Sequence, residues 1–289
     1  LRILVTGARG FVGSHLLPRL SALRHQPIAH DIEEGDLAQQ PPAEDGISVV
    51  IHLAARSSVP ESWTDPPAYY RANVLGAANV LEYCRRHGAR LILVSSYVYG
   101  RPRYLPIDED HPLEAFNPYG HSKILAEEAA RYYARAFGVQ IVIVRPFNLY
   151  GPGQNPSFLI PTLMRQALDP EKDCIEVQDA RPRRDFLFVG DFAELLVKLV
   201  DSTANGVYNA GTGTATSIGE LAALLAELTA KHKPLVDLAR PRPDEVLDMH
   251  ASITRARREL GWEPRTAIRE GLARTLAALT SPQPGAKIP

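Results

Sequence analysis

Short apolar runs alternate with stretches whose apolar positions recur every three or four residues, and this rhythm organises the first half of the chain. The runs "RILVTG", "QPIAHD", "ISVVIHLAA", "RLILVSS" and "VQIVIVRPF" predict strands. Their near-continuous hydrophobicity suits strands buried on both faces. Helical spacing lies between them, over Phe11–Ser21, Ala68–Gly88 and Tyr119–Phe137. Such alternation predicts an α/β protein with a parallel sheet and crossover helices. Beyond Gly151 the pattern loosens into loops rich in Pro and Gly. Helical segments follow at Ile160–Leu168, Gly190–Asp201, Ser217–Lys231 and Ile268–Leu279. A short strand, Gly206–Gly211, is expected to rejoin the sheet. Residues 1–150 with 187–212 therefore read as one unit, and 151–186 with 213–280 as a smaller, interleaved one. The last segment, 281–289, reads as a disordered tail.

Composition narrows the class only a little. The 289 residues are 45% apolar and 22% charged, as in ordinary globular proteins, and suffice for a sizeable core. A formal net charge of −1 argues against a general nucleic-acid binder. Two cysteines, Cys84 and Cys174, make a disulfide framework unexpected and fit the cytoplasm. No apolar run approaches the roughly 18 residues of a membrane span, and "LRILVTG" reads as a strand rather than a signal peptide. The nine His are scattered without ligand-like spacing, so a metal hydrolase is unsupported.

Candidate chemistry begins with "VTGARGFVG", which places Gly7, Gly10 and Gly13 three apart, straight after a strand and opening a helix. Glycines there permit a tight turn and close backbone approach to a pyrophosphate at a helix N-terminus. Asp31 ends the second strand about 20 residues on, where a carboxylate accepts both adenosine ribose hydroxyls and repels a 2′-phosphate. NAD is thereby favoured over NADP; the bland alternative makes Asp31 a solvated loop acid of "HDIEEGD", a role for which Glu33 and Glu34 are candidates. Further on, "NPYGHSK" holds Tyr119 and Lys123 four apart, on one helix face. An ammonium beside a phenol favours the phenolate, so Lys123 is expected to lower the Tyr119 pKa. Upstream, "VSSYVYG" ends a strand with Ser95 and Ser96.

Gly7, Gly10 and Gly13, "HLAA" (His52 to Ala55), the serine pair before "YVYG", "NPYGHSK" and "RPFNLYGPG" together resemble an extended short-chain dehydrogenase/reductase. More narrowly, they resemble the NAD-dependent epimerase/dehydratase group acting on nucleotide sugars. The resemblance runs from Leu1 to about Leu279, with the motifs in order. It implies a Rossmann-type doubly wound sheet with a C-terminal substrate domain. It also implies a catalytic Ser–Tyr–Lys set in which Tyr119 exchanges a proton with a sugar hydroxyl and Lys123 holds the nicotinamide ribose. A serine hydrogen-bonds the same sugar oxygen; counting four residues back from Tyr99 selects Ser95 over Ser96.

The resemblance further implies cofactor contacts from Phe11, Val12, Asp36, Leu37, Leu53, Ala54, Ala55 and Ser57, with Asn73 near them. Asn148, Arg184 and Arg242 match residues that grip a substrate diphosphate, a task suited to guanidinium forks. Arg181 and Arg183 could share it or simply form a solvated basic loop. Relatives pair the helices around 68–88 and 119–137 across a two-fold axis, which implies a homodimer. One departure stands out. Only Ile32, Glu33 and Glu34 separate Asp31 from Gly35-Asp36-Leu37, so an edge strand and its crossover are expected to be missing.

Three reactions share this scaffold: 4-epimerisation, 4,6-dehydration and 4-keto reduction. Dehydratases and decarboxylases of the group place carboxylates after the serine, where this chain has Ser96 and Tyr97. Elimination and decarboxylation are therefore disfavoured. The NAD-like Asp31 leans toward an epimerase over a reductase consuming NADPH. A non-catalytic dinucleotide-sensing protein on the same fold is disfavoured by the joint presence of Ser95, Tyr119 and Lys123.

Overall fold

A computed structural model of the protein describes residues 1–229, 231–242 and 245–280; the expected tail lies outside them. Six strands form one parallel sheet: β1 (Arg2–Thr6), β2 (Gln26–His30), β3 (Val49–His52), β4 (Arg90–Val94), β5 (Ile141–Pro146) and β10 (Gly206–Ala210). Their order is β10-β5-β4-β3-β1-β2, so the sheet stops at β2, as the short Asp31–Gly35 connection implied. Chain direction across the sheet reverses between β1 and β3. In such sheets that reversal opens a crevice at the strand C-termini, where dinucleotides bind.

Side-chain alternation assigns each face its helices. Ile3, Val5, Ile92, Val142 and Val144 enter one core with Leu16 and Leu20 of α1 (Phe11–Ala22) and Phe192 and Leu196 of α7 (Val189–Val200). Leu4, Leu91, Leu93, Ile141 and Ile143 enter the other, with Val80 and Cys84 of α4 (Gly76–His87) and Ala130 of α5 (Pro118–Phe137). Fully burying such side chains contributes about 1.5–3 kcal/mol each, so both faces of every central strand are committed.

A third core gathers Tyr150 of β6 (Asn148–Tyr150), α6 (Leu159–Leu168), β7 (Ile175–Val177), Phe186 and Phe188 of β9 (Phe186–Phe188), α8 (Ile218–Leu228) and α10 (Ile268–Thr280). β6 pairs with β9. β8 (Arg183–Arg184) joins β11 (Thr216–Ser217) and β13 (Asp248–Met249), while β7 pairs with β12 (Leu235–Asp237). These short pairings build the lobe beside the crevice. The sequence pattern did not reveal them, nor α9 (Thr254–Leu260).

The helix expected over Ala68–Gly88 is in fact three pieces. After α2 (Val59–Thr64) come α3 (Pro66–Tyr69), a π-helical turn over Tyr70–Leu75, and then α4. The cause is Asn73, whose buried amide accepts from Arg56 N at 2.8 Å and donates to Arg56 O at 3.0 Å and Ser122 Oγ at 2.9 Å. One widened turn aims that side chain across to α5, a use of π-bulges common near functional sites.

Candidate active site

The glycine loop joins β1 to α1 within the crevice. Gly7 has φ +66°, and a Cβ there would lie 2.7 Å from Ala54 N. A Cβ on Gly13 would lie 2.2 Å from Ala8 O, so α1 packs onto β1 only with glycine at that position. Gly10 caps α1, turning its N-terminal amides toward the crevice beside Phe11 and Val12. Across from them, Leu53 N donates to Thr6 O at 3.1 Å and Ala54 N to Thr6 Oγ1 at 3.2 Å, holding "HLAA" against β1. Thr6 Oγ1 also shares a hydrogen bond with His52 Nδ1 at 2.7 Å. Burial pushes His52 down to about 3, so it stays neutral.

Asp31 stands at the open end of β2, where Oδ2 accepts Arg9 N at 2.8 Å. Oδ1 accepts no protein hydrogen bond among the described residues and so presents an acceptor to a ribose. Asp36 is used locally, accepting from Ala38 N at 2.9 Å and Gln39 Nε2 at 3.0 Å. Leu37 is buried in the α4 core, Ala55 and Ser57 are exposed, and Asn73 pins the Arg56 segment as described. The residues present fit a dinucleotide: a cradle closed to any Cβ, a helix N-terminus, and an outward carboxylate oxygen.

The candidate catalytic wall is built by α5. Asn117 caps it, accepting Gly120 N at 2.7 Å, with Pro118 in its first turn. Tyr119 and Lys123 follow on one face, but they do not interact as the i,i+4 spacing suggested. Lys123, 5% exposed, donates to Val94 O at 2.7 Å, the last carbonyl of β4. Burial lowers its pKa to about 8, opposed by the Glu127 carboxylate. Burial likewise pushes Tyr119 up to about 12, rather than down. The expected lowering by Lys123 is thus corrected: its ammonium is spent on the strand end. What pulls Tyr119 back toward the phenolate is the adjacent Ser96 hydroxyl.

The serine pair divides by strand alternation. Ser95 continues the face of Leu91 and Leu93 and is 4% exposed, and its hydroxyl makes no well-formed hydrogen bond. Its hydroxyl instead lies near Glu127, where it helps keep that carboxylate charged. Ser96 takes the other side and meets Tyr119. Ser96 is thus the serine that favours the Tyr119 phenolate, while the count from Tyr99 points to Ser95, whose buried hydroxyl has no hydrogen-bond partner among the described residues.

Beneath this wall lies a network that the sequence did not announce. Arg145 grips Glu127 with two bonds, Nε to Oε1 at 3.0 Å and Nη2 to Oε2 at 2.7 Å, and donates to Tyr99 OH at 2.9 Å. Buried ions paired in this way are costly to break. Tyr97 stacks on Phe147 and donates to Asn148 Oδ1 at 2.9 Å. Asn148 in turn donates to Asp185 O at 3.2 Å. Asp185, also unforeseen, is fully buried and accepts from Thr212 N, Gly213 N and Ala251 N, tying the segments at 212–213 and 251 to its own.

The candidate diphosphate residues are scattered by their partners. Arg184 contacts Glu245 and donates to Val246 O, Arg183 reaches Glu220 at 3.3 Å, and Arg181 binds Asp179 at 2.8 Å. Arg242 is exposed. A cavity of about 480 Å³ lies between Arg103, Tyr104, Glu245 and Leu247, and neither Tyr119 nor Lys123 lines it. None of the helices described is long and apolar enough to cross a membrane.

A glycine cradle at the sheet reversal, with serine, tyrosine and lysine on the facing wall, defines an NAD(P)-dependent enzyme of the extended short-chain dehydrogenase/reductase type. Sequence comparison agrees and is narrower: the NAD dependent epimerase/dehydratase family profile matches residues 3–211. The chain belongs to this family, whose members act on nucleotide sugars. It is 34% identical to the GDP-6-deoxy-D-mannose reductase of Pseudomonas aeruginosa, over 96% of both chains. It is 31% identical to the UDP-glucose 4-epimerase of Mycolicibacterium smegmatis, over 96% of this chain and 97% of that one. Among solved structures it resembles TunA, an NAD-dependent NDP-hexosamine 5,6-dehydratase, at a TM-score of 0.89 and 30% identity over 98% of each chain. Other structural neighbours were solved with NAD or with NADPH.

Proposed function

We propose that the protein is an NAD-dependent nucleotide-sugar 4-epimerase. The observation that carries this reading is the pairing of an acidic ribose end with a catalytic wall that has no carboxylate after its serine. Whichever serine acts, the next residues are Ser96 and Tyr97 or Tyr97 and Val98, none able to take a carboxylate's part in elimination. An acidic ribose end favours NAD, which suits a cycle that returns its cofactor unchanged.

Bound NAD supplies the hydride acceptor and donor. Tyr119 removes the proton of the C4 hydroxyl and returns it once the sugar has presented its other face. Ser96 holds the same oxygen and steadies the phenolate, which burial alone disfavours. Lys123, fixed on Val94 O, brings a cation to the nicotinamide ribose. Gly7 and the α1 N-terminus hold the pyrophosphate, and Asp31 Oδ1 the adenosine ribose. Asn148, positioned by Tyr97, would hold the sugar diphosphate, joined by Arg184 once it exchanges Glu245 for a phosphate oxygen.

A reductase of 4-keto-6-deoxysugars is the second reading, favoured by the 34% identity to the Pseudomonas enzyme. One assay separates the two. Interconversion of UDP-glucose and UDP-galactose with no net change in NADH absorbance supports the epimerase; oxidation of NAD(P)H on adding a 4-keto sugar supports the reductase and overturns it. We also infer a homodimer through α4 and α5, supported by exposed Leu75, Tyr132 and Phe137; a monomer mass in solution would refute it.

A further inference from the structure

Arg9 precedes Gly10 in the glycine loop, and its side chain turns to the ribose end of the crevice. Its guanidinium lies 3.3 Å from Asp31 Oδ2 and 3.4 Å from Glu33 Oε2. Its firmest partner is Glu34, reached by both Nη1 (2.7 Å to Oε2) and Nη2 (to Oε1), a two-pronged grip. Glu34 is itself positioned, because Oε2 also accepts Asp31 N at 2.8 Å and Glu34 N donates to Asp31 O at 3.1 Å. The Arg9 pairing holds the Glu34 carboxyl down to about 2. One cation thus stands among three carboxylates, with its fork occupied, beside the acceptor oxygen offered to the ribose.

We propose that the Arg9–Glu34 pair, and not Asp31 alone, sets the choice of NAD over NADP. Glu34 occupies the only guanidinium of this cluster, so a 2′-phosphate would meet net negative charge and no available fork. A ribose with a plain 2′-hydroxyl meets only Asp31 Oδ1. Released from Glu34, Arg9 becomes a phosphate ligand at the same spot, since its backbone is fixed by the glycine loop and its side chain already reaches Asp31. The pair works as a latch on cofactor selectivity. This inference rests on the dinucleotide site, not on which sugar reaction follows.

The test is calorimetric titration of NAD⁺ and NADP⁺ into the wild-type protein, Glu34→Gln and the Arg9→Ala/Glu34→Gln double variant. Wild type is expected to favour NAD⁺. Glu34→Gln should tighten NADP⁺ by about tenfold, leaving NAD⁺ within about twofold. The double variant should lose that gain, because the gain belongs to Arg9. An unchanged NAD⁺/NADP⁺ ratio in Glu34→Gln, a gain that survives in the double variant, or a wild type preferring NADP⁺ overturns the proposal. Failure of wild type to bind either nucleotide is a different result and overturns the dinucleotide site itself. Far-UV circular dichroism confirms that each variant is folded.

Discussion

At one end of the crevice Lys123 is 5% exposed and donates to a single backbone carbonyl. At the other, Arg9 has a side chain 54% exposed and lies against three carboxylates. Burial governs the first end: it lowers Lys123 to about 8 and lifts Tyr119 to about 12. Pairing governs the second, where Arg9 holds Glu34 charged in spite of solvent. The contrast follows from the work at each end. Desolvation brings Lys123 toward neutral pH but holds Tyr119 protonated, so a candidate proton-transfer wall also needs a neighbouring hydroxyl to favour the phenolate. A recognition end needs charges that stay fixed, and ion pairs keep them so.

The largest effect that would break this comparison is at Tyr119. Tyr119→Phe removes the transferred proton while leaving the ring, and should lower turnover by roughly 10²–10⁴-fold with nucleotide binding retained. Steady-state rates within tenfold of wild type would remove Tyr119 from the chemistry. The serine pair sharpens the same point. Ser96→Ala should cut kcat about 10²-fold, because it takes away the hydroxyl that favours the phenolate. Ser95→Ala should leave kcat within a few-fold, since its hydroxyl faces Glu127. The reverse order would show that the count from Tyr99, and not the strand face, picks the catalytic serine.

Burial of Lys123 also carries a stability signature. A lysine whose folded pKa of about 8 lies below its unfolded value of 10.5 binds a proton in the unfolded state, but not the folded one, between those limits. Unfolding free energy therefore rises with pH across that window and is flat below it. Relative to Lys123→Met, wild type should gain roughly 3 kcal/mol in total from about pH 8 to pH 10.5. Urea unfolding of both proteins across that range checks it; parallel stability curves would show that the ammonium pays no desolvation penalty.

How much of this was legible in the sequence depended on whether the signal was local. The six sheet strands, α1, α5, α7 and the glycine cradle were readable because period and turn residues are properties of short segments. The short sheet edge followed from a count of residues between Asp31 and Asp36. Harder features depended on partners far along the chain. Which of Ser95 and Ser96 lies toward Tyr119 depends on the face of β4 that each continues. Glu127 and Arg145 are 18 residues apart and meet only because α5 packs on β5. Arg9 looks like a loop filler until the β2 end brings Glu34 to it, and the split of the Ala68–Gly88 helix depends on what Asn73 reaches. In each case the decisive neighbour lies across the fold, where local pattern carries no information.

The smallest expected effect separates the two ends most cleanly, because it uses salt and not mutation. Exposed charges are screened over about 8 Å at physiological ionic strength and about 3 Å at 1 M, while buried ones are screened much less. Discrimination against NADP⁺, if it comes from the cluster of half-buried Asp31 with exposed Arg9, Glu33 and Glu34, should shrink several-fold between about 0.05 and 1 M salt. The pH midpoint assigned to Lys123 should stay where it is over the same range, because its surroundings exclude the ions. Titrations of both nucleotides and pH–stability curves at the two salt levels read the two ends independently. Selectivity that ignores salt would mean the ribose end discriminates by shape, and Glu34 would then be a turn residue and not a latch.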